Sequence, residues 1–139
     1  MKISTKGRYA LRLMLDLSLN YSDSFIPLKA IAQRQEISDK YLEQIINVLS
    51  KAGFVQSARG AQGGYRLTRL PSEYTVGEIL RLAEGSIAPV ACLECKDSCD
   101  KMDSCITIGL WRKMQQAIDE VVDNTTLADL INDYRSKQH

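Results

Sequence analysis

The chain has 139 residues, 45% hydrophobic and 25% charged, with 8 Gly, 3 Pro and 6% aromatics, a globular composition that excludes collagen-like, low-complexity and wholly disordered chains. The length suits one domain with a single sizeable core and at most a small appendage; no run approaches the roughly 18 apolar residues of a membrane span, and the opening residues carry no signal-peptide pattern, so a cytoplasmic protein is expected. The net charge of +1 hides a basic first half, with 11 Lys/Arg against 5 Asp/Glu through Leu70, joined to an acidic remainder with 7 against 12. That asymmetry fits a polyanion-binding module attached to something that does not touch the polyanion.

In chain order, the first helix is expected over residues 6–20. Its apolar residues Tyr9, Ala10, Leu13, Met14, Leu17 and Leu11, Leu15, Leu19 cover more than one face, so it should be central. A polar loop at 21–24 ends it. Pro27 then stands where a helix start tolerates it, before a short helix over 29–35. After the three residues 36–38, a longer helix is expected over 39–51, with Ser38 as N-cap and Asp39 in its first turn. Leu42, Ile45, Ile46 and Leu49 give it one apolar side. A short helix, a three-residue turn and a capped helix spell a helix-turn-helix.

Residues 54–58 and 65–68 read as strands around Arg59-Gly-Ala-Gln-Gly-Gly64, whose glycines permit a tight hairpin. A helix-turn-helix followed by a basic-tipped hairpin is a winged helix. A further helix over 76–84 is expected from the Thr75/Glu78 capping box and the stop at Gly85. A long helix over about 106–122 places Trp111, Met114, Ile118 and Val121 at spacings of three, four and three, one side of a coiled-coil-like dimer seam. Thr126 and Asp129 cap a last short helix over 127–134. The expected fold is therefore mainly α with a small β-hairpin wing. A winged head spans 1–85 (helix-turn-helix about 28–51, wing about 54–69), followed by a cysteine-rich loop at 86–105 and a dimerisation region at 106–139.

The winged helix points to double-stranded DNA, because a recognition helix of this type meets base edges in the major groove with its first turns. Ser38, Lys40, Tyr41 and Gln44 are the candidate base or phosphate contacts, Arg59 is a candidate for minor-groove insertion, and Lys2, Lys6 and Arg8 are candidates for phosphates. Winged helices also serve as protein-interaction modules without DNA, and that reading stays open.

The four cysteines, Cys92, Cys95, Cys99 and Cys105, lie within 14 residues and nowhere else. Thiolates are soft ligands that select zinc, copper(I) or iron–sulfur clusters, and nothing here indicates a disulfide-forming compartment. The compact loop lacks the long insert between paired knuckles typical of structural zinc, so zinc and redox sensing stay open beside an iron–sulfur cluster. The single His139 is terminal. No phosphate loop, nucleophile elbow or carboxylate pair is present, so an enzyme is not expected.

The opening Met1-Lys-Ile-Ser-Thr-Lys-Gly-Arg-Tyr-Ala10, the stretch Ser38-Asp-Lys-Tyr-Leu-Glu-Gln44, the wing Arg59-Gly-Ala-Gln-Gly-Gly-Tyr65 and Ala88-Pro-Val90 before the cysteines resemble the Rrf-type bacterial winged-helix regulators. The likeness runs from about Met1 to Tyr134 and is closest in pattern to the family's iron–sulfur cluster regulators. The resemblance implies a homodimer held by the long helix, a palindromic operator and, in that branch, a cluster, most simply 2Fe–2S. It assigns three ligands to Cys92, Cys99 and Cys105, with the fourth either Cys95 or Glu43 on the recognition helix. Ile108 stands where some of these regulators carry a histidine. Arg8 stands near where the nitric-oxide-sensing branch has an aspartate, and the cysteine-metabolism repressors lack the cysteine cluster.

Overall fold

The computed structural model describes residues 3–90 and 106–138. Helix α1 (Thr5–Leu19) is the strut of the head. Its buried residues Gly7, Ala10, Leu13, Met14, Asp16, Leu17 and Ser18 wrap around the axis rather than forming one stripe. Five elements pack against it: α2 (Leu28–Gln35), α3 (Asp39–Lys51), β2 (Gly64–Leu67), α4 (Val76–Glu84) and α6 (Leu127–Ser136). Leu13, Met14, Leu17, Ile31, Leu42, Ile46, Leu49, Ile79 and Leu127 are fully buried in one cluster. Each such side chain contributes roughly 1.5–3 kcal/mol by leaving water.

The end of α1 that enters the head is capped twice. Ser4 is the N-cap, and the Glu84 carboxylate at the end of α4 accepts from the Ser4 amide (3.0 Å), the Ser4 hydroxyl (2.6 Å) and the Gly7 amide (3.0 Å). A carboxylate at a helix N-terminus satisfies orphan donors and meets the positive end of the macrodipole. A side chain on Gly7 would collide with that carboxylate, which is why glycine stands there.

The helix-turn-helix forms as the sequence predicts. Glu36 closes α2 in the left-handed region (φ 55°), Ile37 is buried beneath the turn, and the Ser38 hydroxyl accepts from the Tyr41 amide at 3.2 Å. Asp16, buried inside α1, fixes the rotation of α2. It accepts from Arg34 Nε (3.1 Å) and Nη2 (2.7 Å) and from Gln35 Nε2 (2.9 Å), which compensates the cost of burying a carboxylate.

The wing is a two-stranded antiparallel hairpin of β1 (Val55–Ala58) and β2, paired Val55 to Leu67 and Ala58 to Gly64. It begins one residue later than expected because the Phe54 amide still donates to Leu49 O (2.9 Å) at the exit of α3. Ile26, between α1 and α2, bridges β2 through reciprocal 2.8 Å bonds with Tyr65 and extends the sheet by one residue. Gly64 (φ 150°) permits this, since any Cβ there would run into the Ile26 carbonyl. At the wing's base the buried Tyr74 hydroxyl donates to Phe54 O (2.7 Å) and accepts from the Thr68 and Arg69 amides (3.0 Å each). Tyr74 follows a 3-10 turn, Pro71–Glu73, that has no counterpart in the sequence reading.

Helix α5 (Ile108–Asp123) starts two residues later than expected, and α6 runs two residues further. Backbone bonds from Val76 N to Thr125 O (2.8 Å) and from Leu127 N to Tyr74 O (3.1 Å) stitch the start of α6 to the start of α4. Helix α6, grouped by sequence with the dimerisation region, thus packs into the head's own core through Leu127 and Ile131. Among the described residues no helix is long and apolar enough to cross a membrane.

Gly64→Ala is expected to lower unfolding stability by about 2–4 kcal/mol, because backbone crowds the new methyl on one side. Amide hydrogen exchange at Ile26 and Tyr65 should rise more than in the α1 core; uniform protection in both places would contradict this account of the wing.

Candidate nucleic-acid interface

Helix α3 turns Leu42, Ile45, Ile46 and Leu49 into the core. With 100° per residue, that leaves Lys40, Glu43, Gln44, Asn47 and Lys51 on one outward stripe, and all five are exposed. Ser38 is exposed at the head of the stripe, its hydroxyl engaged in capping. Tyr41 departs from the role of a free reader. It is half-buried, packed on the core and edge-to-face with Tyr9 of α1 at 5.5 Å. Tyr9 in turn carries Arg12 over its ring, and Arg12 reaches across to the Gln35 side chain (3.1 Å) and the Gln35 carbonyl at the end of α2. This Tyr41–Tyr9–Arg12 stack locks the first turn of α3 to α1. Sequence reasoning missed it, because only the fold brings residues 9, 12 and 41 together.

The basic residues divide into two groups. Arg34 is paired with Asp16, and its hydrogen bond to that carboxylate holds its pKa above the ordinary guanidinium value. Arg66 bonds Gln56 (3.2 Å) and Asp23 O (2.7 Å) and lies over Phe25. Arg69 covers the Phe54 and Tyr74 rings and bonds Glu73 O (2.9 Å). Arg81 is held by Asp119 and Asp123. Among the described residues, the side chains of Lys6, Arg8, Lys40 and Arg59 have no such partner, nor do those of Lys29, Lys51, Arg112, Lys113 and Arg135, and all nine are exposed. These free cations are what a phosphate backbone can recruit without first breaking an internal bond. Arg59 sits in the exposed turn between β1 and β2; Lys6 lies beside Ile45, Val48 and Leu49 of α3, so its charge borders the recognition helix. Lys2 lies outside the described residues, as do Cys92, Cys95, Cys99 and Cys105.

Glu43, the alternative fourth ligand, is exposed on the α3 stripe and has no hydrogen-bond partner among the described residues. No group of three or more potential metal ligands gathers among those residues.

On α5 the four predicted seam residues differ in exposure within the single chain: Trp111 and Ile118 are half-buried, Met114 and Val121 exposed. Ile118, with Val122, packs inward on Val76, Leu80 and Ile87 of its own chain. Trp111 and Gln115 lie on the same inward line, Trp111 half-buried with its indole N–H on Thr107 Oγ1 at 3.1 Å. Met114 and Val121 are exposed, and with the equally exposed Leu110 and Ala117 they form a stripe at spacings of four, three and four. The 3.5-residue seam pattern straddled two neighbouring stripes, and only packing against α4 separates them.

The sequence profile of the Rrf2 family, described as iron-dependent transcriptional regulators, matches residues 3–133. The transcriptional regulator CymR of Bacillus subtilis is 44% identical over 130 residues, spanning 94% of this chain and 89% of CymR. The solved structure of T. potens IscR has a TM-score of 0.79 at 42% identity and covers 100% of this chain and 92% of that one. The structure of CymR, the global cysteine regulator of B. subtilis, has a TM-score of 0.74 at 42% identity, covering 94% and 95%.

The two α5 stripes make opposite demands on a charge. Ile118→Asp should cost about 2–4 kcal/mol by placing a carboxylate against Val76 and Leu80. Val121→Asp, at an exposed position, should leave the unfolding of the single chain within about 0.5 kcal/mol. Thermal unfolding at a concentration low enough to populate single chains checks both; equal losses would contradict the assignment of faces.

Proposed function

This chain belongs to the Rrf2 family of transcriptional regulators, and on that premise we propose that it binds operator DNA under the control of an iron–sulfur cluster held by its cysteine loop. The observation that carries DNA binding is the exposed polar stripe of α3, together with the exposed cations Lys6, Arg8, Lys40 and Arg59 that have no partner among the described residues. Lys40 and Gln44 offer cation and amide groups to base edges and phosphates, Arg59 enters the minor groove from the wing, and Lys6 and Arg8 with Lys2 grip phosphate. Ser38 acts by capping and orienting α3, and Tyr41 by anchoring it, with the tyrosine hydroxyl left to meet the groove. Two copies joined through the outward α5 stripe, Leu110, Met114, Ala117 and Val121, would present two such heads to a palindromic site.

The cofactor reading rests on donor chemistry. Four thiols within 14 residues form a soft ligand set, and Glu43 has no partner among the described residues, so a carboxylate is available as well. Cys92, Cys99 and Cys105 would hold the cluster, most simply 2Fe–2S, with Cys95 or Glu43 as the fourth donor. When bound, such a cluster supplies sensitivity to iron, oxygen and redox state. Glu43 as donor would link occupancy to the helix that reads DNA. A second reading is favoured by the 44% identity to CymR: a repressor of cysteine or sulfur metabolism whose cysteines bind zinc or sense redox state. The family places the chain among transcriptional regulators in either case, against an interaction module without DNA.

On duplexes from the DNA upstream of its own gene, binding should weaken by roughly 0.9 log unit per contacted phosphate for each log unit of salt. Arg59→Ala should lower affinity by about 1–3 kcal/mol with unchanged thermal unfolding. Absence of any salt-dependent retention would refute DNA binding. Protein purified without oxygen should show iron, acid-labile sulfide and visible absorption. Zinc without sulfide would favour the second reading, and wild-type spectra in both Cys95→Ser and Glu43→Ala would exclude both residues as the fourth ligand.

A further inference from the structure

Among the described residues, helix α5 is attached to the head by a narrow contact. None of its 16 residues is fully buried, and its apolar hold there rests on Ile118 and Val122 against Val76, Leu80 and Ile87. The polar part of that contact is concentrated on one side chain. Arg81, in the last turns of α4, donates through Nη1 to Asp123 Oδ1 (2.5 Å) and through Nη2 to Asp119 Oδ1 (2.7 Å) and Asp123 Oδ2 (3.2 Å). Gln115 Nε2 adds a bond to the same Asp119 oxygen at 2.8 Å. Residues 115, 119 and 123 are four apart and form one line along α5, so a single guanidinium grips two successive turns of it. The fork geometry suits this, because two carboxylates at fixed spacing admit it in essentially one orientation.

Gly77, one turn before Arg81, is shaped to the same contact. A Cβ there would collide with Asp123 Oδ1 and sit 2.7 Å from Arg81 Nη1. One turn beyond, Glu84 grips the start of α1. The end of α4 therefore holds the head's central helix on one side and the dimer arm on the other.

We propose that Arg81 is a positioning residue for DNA recognition: it sets the angle between the head and α5, and thereby the separation of half-sites that a dimer accepts. The inference rests on the reading that two heads joined through α5 bind an inverted repeat. Its leverage follows from length. From the clamp at Asp119 and Asp123 to Ile108 the helix runs about 20 Å, so a swing of about 10° there moves the far end about 3.4 Å, the size of one base-pair step. Released from Arg81, α5 keeps its apolar hold and its dimer stripe but loses the bond that fixes its direction.

The test uses the full-length chain. Wild-type protein first selects inverted-repeat duplexes from a random-sequence pool, and affinities are then measured for the selected duplex and for two versions with half-sites moved one base pair closer or further apart. Wild type should discriminate against the altered spacings by about tenfold or more, the scale of a lost specific contact. Arg81→Ala should bind all three within about threefold of one another, while remaining dimeric in sedimentation. Gly77→Ala is the second variant. Its methyl displaces the Asp123 and Arg81 side-chain tips while favouring helix, so it breaks the clamp without loss of fold, and it should relax spacing in the same way. General destabilisation would weaken all three duplexes alike and leave their ratio intact. A folded, dimeric variant of either kind that keeps the wild-type ratio overturns the role of Arg81. Failure of the wild-type protein to select any inverted repeat would instead overturn the DNA reading, and the inference with it.

Discussion

Helix α1 leaves only Thr5, Lys6, Arg8 and Leu19 exposed, and most of the architecture follows from covering the rest of it. Leu13, Met14 and Leu17 are within 1% of full burial, and five other elements share the work. The one charged group inside that contact, Asp16, is tolerated because Arg34 and Gln35 of α2 answer it. A buried carboxylate left without those donors would cost several kcal/mol, so the pairing dictates how α2 is rotated against α1. From α2, the turn through buried Ile37 and the Ser38 cap carries that orientation into α3. The angle of the recognition helix is thus inherited from a polar contact one helix away.

The surface offered to nucleic acid is what remains after the fold has used its own arginines. Arg12, Arg34, Arg66, Arg69 and Arg81 are each consumed by a carboxylate, a carbonyl or an aromatic face. Among the described residues, Arg8 and Arg59 of the head, with Lys6 and Lys40, are exposed without such a partner, as are Arg112 and Arg135 outside it. Desolvating an already paired guanidinium to meet a phosphate would exchange one charged contact for another with little gain, whereas an exposed cation releases counterions on binding. The wing obeys the same division: Arg66 staples β2 to the 21–25 loop, and Arg59 at the turn is left free.

Helix α5 carries two neighbouring apolar lines. Its inward line, Trp111, Gln115, Ile118 and Val122, belongs to its own head; its outward line, Leu110, Met114, Ala117 and Val121, is apolar surface that a single chain leaves in water. A helix of 16 residues with no buried position is held by packing rather than propensity, so its direction depends on few contacts. The Arg81 clamp and the Glu84 cap concentrate that control in the last turn of α4, directly before the segment that leads to the cysteines.

Among the described residues, the sequence by itself determined every α-helix, the hairpin, the caps at Ser38, Thr75 and Thr126, and the outward position of Lys40, Gln44 and Arg59, because these depend on local periodicity and on side chains within four residues of one another. It also determined the soft-ligand chemistry of the cysteine loop, which is a matter of residue type and spacing. Tertiary structure alone decided which basic residues are free, since Asp16 and Arg34, or Arg81 and Asp123, are neighbours only after folding. It decided that Tyr41 braces against Tyr9 instead of standing clear, that Ile26 completes the wing's sheet, and that α6 closes the head's core. It decided, too, that Ile118 faces inward while Val121 faces out. An amphipathic repeat specifies that a helix has an apolar side, but two stripes one residue apart are both largely apolar in α5, and only contact with Val76 and Leu80 distinguishes the face bound within the chain from the face left exposed.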